Sequence, residues 1–112
     1  MRVDHEIEGD VIVLTVNAPR IDAAGAVGFK DAVRAATADH PGRVVLDVTQ
    51  VEFLDSSGLG ALVGVMKLIP GRKLELAGAG PIMRKVLALT KMDKVFVLHV
   101  DRHAALEPRD AA

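Results

Sequence analysis

The stretch Phe53-Leu54-Asp55-Ser56-Ser57-Gly58-Leu59-Gly60 puts an acid and two adjacent hydroxyls between a β-branched apolar run, Arg43 to Val51, and a helix-like run, Leu59 to Lys67. Three chemistries suit residues of this kind at such a junction. In the plainest, a side-chain oxygen of Asp55 or Ser56 caps a helix by accepting an orphan amide hydrogen, and Gly58 and Gly60 allow close packing on a sheet. One cap leaves the second hydroxyl unexplained. In the second, the free N–H groups of the helix start, with the dipole behind them, stabilise an anion, and a phosphoryl group on a local serine is such an anion. Phosphorylation adds about 1.5 to 2 negative charges, and beside Asp55 at a docking surface that charge disrupts by repulsion and desolvation. The third is a nucleophilic serine on a strand-to-helix turn, but the Gly-x-Ser-x-Gly elbow is absent and no histidine has an evident claim as its base.

Other residues with chemical potential have simpler readings. Among His5, His40, His99 and His103 only the last two stand four apart, and they straddle a strand end and a turn. No metal site is expected, and the histidines are expected on the surface or in loops. Met66, Met83 and Met92 read as core fillers. Gly78-Ala79-Gly80 lacks the Lys-Ser/Thr of a phosphate loop and reads as a turn, so no nucleotide or other cofactor is expected. Arg84, Lys85, Lys91 and Lys94 form a basic patch that suits a solvated helix face with cations near its C-terminus.

Composition narrows the function classes. Half of the 112 residues are apolar, enough for one domain with a real core. Fourteen Lys and Arg against fifteen Asp and Glu give no field to gather nucleic acid or anionic lipid. Phe29, Phe53 and Phe96 are the only aromatics, too few for base-stacking platforms. The absence of cysteine excludes disulfides and thiol chemistry. Met1 to Asp10 has no signal-peptide apolar core, and the longest apolar-plus-glycine run, Gly58 to Met66, falls far short of a span of roughly 20 residues. A soluble cytoplasmic protein is expected.

The elements that must position these residues follow from pattern. After a short possible N-terminal strand, Val11 to Val16 reads as a buried strand closed by the turn Asn17-Ala18-Pro19. Asp22 is placed to cap a helix whose inner face carries Ala26, Phe29, Val33 and Ala36, with Gly25 and Gly28 weakening its first turns. His40-Pro41-Gly42 ends that helix, and Arg43 to Thr49 has a central-strand composition. The second helix carries Leu59, Leu62, Val63, Met66 and Ile69 at helical spacing, with Ala61, Val65 and Leu68 making most other positions apolar too. Such a helix is deeply buried or covered by a partner.

After Pro70-Gly71, Lys73 to Ala77 alternates as a strand, and Gly80-Pro81 opens a helix with a predicted inner stripe of Ile82, Val86 and Leu89. Val95 to Val100 is a last strand, and Asp101 caps a short helix through Leu106. Strands alternating with helices predict an α/β fold around a mainly parallel, mixed sheet of four to five strands with about four helices. Asp22, Asp55 and Ser56 then meet at the edge formed by the C-terminal ends of the strands, where open α/β sheets place their sites. Residues 1–112 form one domain, with a core of about 11–106 and a flexible tail over 107–112.

The strand-Asp-Ser-Ser-Gly-Leu-Gly-helix motif, with Arg43 to Thr49 before it and Ala61 to Lys67 after it, resembles the STAS domain of bacterial anti-sigma factor antagonists. Leu76-Ala77-Gly78, then Pro81 to Thr90 and Lys94-Val95-Phe96, is similar to that family's third-helix pattern, and the resemblance runs from about Val11 to about Leu106. It implies a non-enzymatic binding module. The unphosphorylated antagonist captures an anti-sigma factor, a serine-protein kinase of the histidine-kinase-like ATPase type, and so releases a sigma factor. The kinase inactivates the antagonist by phosphorylating its serine, and a phosphatase reverses the change.

The resemblance makes Ser56 the acceptor and gives Asp22, Asp55, Ser57, Gly58 and Leu59 to the partner-binding surface. Asp22 matches the aspartate of the family's Gly-x-Leu-Asp turn. Two departures stand out: Asn17-Ala18-Pro19 replaces the usual turn glycine, and Lys91-Met92 stands where Gly-Leu is common after Thr90. The alternative within the same fold is a constitutive scaffold, or a subunit of a signalling or lipid-transport complex, in which Ser56 is only a helix cap.

Overall fold

The computed structural model describes residues 2–107. Strand β1 (Arg2–Glu8) turns at Gly9 and pairs antiparallel with β2 (Val11–Asn17), so the N-terminal strand is a full edge strand. From β2 on, each long strand is followed by a helix and returns parallel. Helix α1 (Ala23–Thr37) leads to β4 (Arg43–Asp47), α2 (Ser56–Met66) to β6 (Leu74–Ala77), and α3 (Pro81–Leu89) to β7 (Val97–His99). Two short strands, β3 (Arg20–Ile21) and β5 (Phe53–Leu54), precede α1 and α2 and pair only with each other. The main sheet runs β1-β2-β4-β6-β7, with every pair after the first parallel, and α4 (Arg102–Leu106) closes the described chain. The predicted mixed α/β sheet with four helices is the fold observed.

Strand alternation divides the core between two faces. Ile12, Leu14, Val16, Val44, Leu46, Leu74 and Leu76 point to one face, where α1 adds Phe29 and Val33, α2 adds Ala61, Leu62 and Val65, and α3 adds Met83 and Leu87. The other face carries Val11, Val13, Val45 and Ala77 under Ala105 of α4. The nearly all-apolar second helix is explained by this burial, with Leu59 and Val63 left half-buried at its margin.

The structure corrects three sequence-based expectations. The inner stripe of α3 is Met83 and Leu87, while Ile82 and Leu89 are 53% and 74% exposed. Both sets obey helical spacing, and the packing of Met83 and Leu87 into the core selects the rotation that spacing alone leaves open. The last strand is shorter than Val95 to Val100, because Val95 and Phe96 turn back onto the Met92 carbonyl before pairing begins at Val97. His99 is not a surface histidine but lies in a buried polar cluster described below.

Lys91 adopts a left-handed φ of 60° directly after the Thr90 cap of α3. That conformation favours glycine, which accounts physically for the Gly-Leu pair common there in the resembling family. The expected tail lies outside the described residues except for Glu107, whose N–H bonds to the His103 carbonyl at the end of α4.

Candidate functional site

The strands β3 and β5 bring the candidate residues together. Arg20 pairs with Phe53 and Ile21 with Leu54 in parallel register, so Asp22 and Asp55 leave the ends of paired strands side by side, each beginning a helix. Two residues per strand give no periodicity to read, so this pairing is invisible in the sequence. Asp55 Oδ1 accepts from the Gly58 N–H at 2.8 Å, and Asp22 Oδ1 accepts from the Gly25 N–H at a longer 3.3 Å. Of the two cap candidates at the second helix, the structure selects Asp55, whose extended φ of −95° suits the position.

That choice leaves the serines uncommitted. Ser56 and Ser57 occupy the first two helical positions, both exposed, and neither hydroxyl makes a hydrogen bond among the described residues. The Oγ of Ser56 therefore stands in solvent at the positive end of an eleven-residue helix, where an anion is favoured. Gly58 has a separate task. A Cβ there would run into the Ile21 carbonyl oxygen and the Leu54 Cδ1, so glycine is what lets the start of α2 rest on the β3–β5 pair. Leu59 is half-buried against the main core and presents only part of its side chain.

Three neighbours escaped sequence reasoning. Phe53 is 43% exposed, with the Arg20 guanidinium carbon 5.7 Å from its ring centroid. Ile82, rotated outward by the register of α3, joins Val51, Thr49 and Pro81 along an open groove of about 480 Å³ beside β5. The place of Phe53 just before the Asp55-Ser56 turn was the available signal for the first. For Ile82 none existed, since its exposure depends on the rotation of the helix.

The second polar cluster lies on the other face of the sheet. Arg43 Nε donates to Glu75 Oε2 at 2.8 Å and Nη2 to Oε1 at 2.6 Å, while His99 Nε2 meets Oε1 at 2.7 Å. A carboxylate only accepts, so His99 carries the hydrogen on Nε2. Arg43 Nη2 also donates to the Ala105 carbonyl at 2.9 Å, which ties α4 to the sheet. Burial pushes the Glu75 carboxyl up, but the Arg43 and His99 hydrogen bonds and the attraction of both charges outweigh it and hold it below the usual carboxylate range. The Arg43 pKa is raised, first by its Glu75 hydrogen bond against opposing desolvation, then by the charges of Glu75 and Asp10.

A cavity of about 470 Å³ borders this cluster at the sheet edge remote from Ser56. Two of its three cations are already engaged, Arg43 with Glu75 and Arg72 with the His40 and Gly42 carbonyls at 2.6 and 2.7 Å. Among the described residues no group of three His, Asp or Glu side chains is arranged to hold a metal ion. No helix among them is long and apolar enough to cross a membrane.

Comparison with known proteins agrees with this architecture. The model of the STAS domain family matches residues 2–105. An anti-sigma-F factor antagonist of Mycobacterium tuberculosis, RsfB, is 33% identical over 97 residues, which cover 86% of this chain and 79% of that protein. The crystal structure of an anti-sigma factor antagonist from Mycobacterium paratuberculosis superposes with a TM-score of 0.79 at 31% identity, covering 94% of this chain and 90% of the other. A STAS-domain anti-sigma-factor antagonist from Planctomyces limnophilus gives a TM-score of 0.82 at 25% identity, covering 93% of each chain.

Proposed function

This chain belongs to the STAS domain family, and we propose that it is an anti-sigma factor antagonist whose docking surface surrounds Ser56 and is closed by phosphorylation there. The observation that carries the reading is the division of labour at the start of α2. Asp55 alone provides the cap, which leaves the Ser56 hydroxyl exposed and unbonded at the positive helix end. A serine needed only as a cap would have its oxygen on an amide hydrogen.

The partner is an anti-sigma factor with serine-kinase activity of the histidine-kinase-like ATPase type, so the ATP chemistry belongs to the partner and this chain is substrate and ligand, not enzyme. Transfer of the γ-phosphoryl to Ser56 Oγ leaves ADP on the kinase and sets about two negative charges beside Asp55. Asp22, Asp55, Ser57 and Leu59 form the surface that the kinase reads in the unmodified state, and the buried Gly58 serves it by seating the helix start that carries Ser57 and Leu59. The two acids give it a negative margin, and the added phosphoryl group raises that charge in the area that must be desolvated on docking. A phosphatase restores the unmodified form, and the exchange takes place in the cytoplasm. Similarity to RsfB supports the antagonist class.

The test is a paired capture from the source organism's lysate, with Ser56→Ala and Ser56→Asp proteins as baits and mass spectrometry as readout. A histidine-kinase-like ATPase held by the first bait and lost from the second is the expected result. The same partners on both baits would leave a constitutive scaffold with Ser56 outside any switch.

A further inference from the structure

We propose that Arg20 is an internal receptor for the phosphoryl group: when Ser56 is phosphorylated, the Arg20 guanidinium leaves the Phe53 ring and pairs with the phosphate. The inference rests on the phosphorylation reading of Ser56 and adds what holds the modified state.

Arg20 and Phe53 stand opposite each other in the β3–β5 pair, both exposed, with the guanidinium over the ring. Arg20 forms no ion pair among the described residues, although two acids lie close in sequence and register. Asp22 and Asp55 both turn their Oδ1 atoms to backbone amides, those of Gly25 and Gly58. A full positive charge is thus held on the strand pair that leads into the acceptor serine, with only an aromatic face to rest on.

Strand geometry supplies the reach. Neighbouring strands lie about 4.8 Å apart and each residue rises about 3.3 Å, so the Ser56 backbone is about 10 Å further along the strand direction and one strand across from Arg20, a separation of about 11 Å. An extended arginine and a phosphoseryl side chain together cover that interval. At an exposed site a cation–π contact is weaker than a charge-assisted, two-pronged bond from guanidinium to phosphate oxygens, so the exchange favours the phosphate. The free N–H groups of the first turn of α2 approach the same phosphate from the other side.

The experiment places phosphoserine at position 56 during synthesis, which requires no kinase, and follows the second ionisation of the phosphate by phosphorus NMR. With Arg20 present the phosphate pKa is expected to lie about half a unit below its value in the Arg20→Ala protein. Arg20→Lys keeps the charge but not the fork, and part of the lowering should return. The Phe53 ring resonances should move on phosphorylation when Arg20 is present and stay put in Arg20→Ala. Identical phosphate pKa values with and without Arg20 would overturn the pairing. Because Arg20 is exposed, Arg20→Ala remains folded, and the unmodified protein's spectrum verifies this directly. If the phosphate pKa depends on Arg20 while modified and unmodified chains bind the kinase alike, the pairing stands and the switch fails; the converse pattern removes the pairing alone.

Discussion

The molecule holds two polar clusters built from similar residue types and used in opposite ways. On the second face of the sheet, Arg43, Glu75 and His99 come from three different strands, are largely buried and are joined through the Glu75 carboxylate. At the C-terminal edge, Asp22, Asp55, Ser56 and Ser57 follow two-residue strands, and their exposed hydroxyls are bonded to nothing in the described chain. A His–Glu pair would attract notice as catalytic in a list of residues, yet here its bonds join β6 to β7, while Arg43 joins β4 to β6 and holds α4. Commitment, more than residue type, separates the cluster that ties strands together from the cluster whose hydroxyls stay unengaged among the described residues.

The largest effect expected from breaking this contrast is at Glu75. Replacing it by Gln removes the charge that compensates Arg43, and the loss of one member of such a pair costs about 3 kcal/mol, measurable as a lower denaturant midpoint. The same group sets an acid dependence. Its pKa is lowered on folding, so the unfolded chain binds the proton more readily. The contribution is present above the ordinary carboxylate range, near about pH 4.3, and is lost as pH falls through the lowered folded value. Chemical denaturation between neutral and acid pH should therefore show a steeper acid loss in the native protein than in Glu75→Gln. Equal slopes would mean that the cluster does not stabilise through charge.

At the other cluster the next effect in size is expected from Gly58→Ala. The added methyl meets the Ile21 carbonyl oxygen, a backbone atom that cannot give way cheaply. Thermal unfolding should report a loss of about 2 kcal/mol together with weakened partner binding, since the start of α2 must lift from β3. Smaller still, Asp55→Ala removes a cap worth about 1 kcal/mol, whereas Ser56→Ala should stay within about 0.5 kcal/mol of the native stability. This last pair sharpens the contrast most. If Ser56→Ala cost as much as Asp55→Ala, the serine would be serving the helix and not a partner.

How much of this was legible in the sequence depended on how local the determining contacts are. The Asp22 cap, the strand cores at Val11 to Val16 and Arg43 to Asp47, and the junction at Ser56 could be read because each is settled within a few residues, whereas the sequence left Asp55 and Ser56 as alternative caps of the second helix. The Arg43–Glu75–His99 cluster could not, since its partners lie 32 and 24 residues apart and Glu75 alternates like a solvent-facing strand residue. The outward turn of Ile82 and the Arg20–Phe53 pairing were hidden for the same reason. Each depends on how one element is rotated or registered against another, which the hydrophobic period alone does not determine.

The central claim, that Ser56 opens and closes a docking surface, is tested most directly by titrating the captured kinase with this protein carrying either serine or phosphoserine at position 56. Calorimetry at fixed pH and salt should show binding at least about tenfold weaker for the phosphorylated chain, a difference of about 1.4 kcal/mol. Equal affinities would contradict the account and leave Ser56 an exposed residue beside a helix cap.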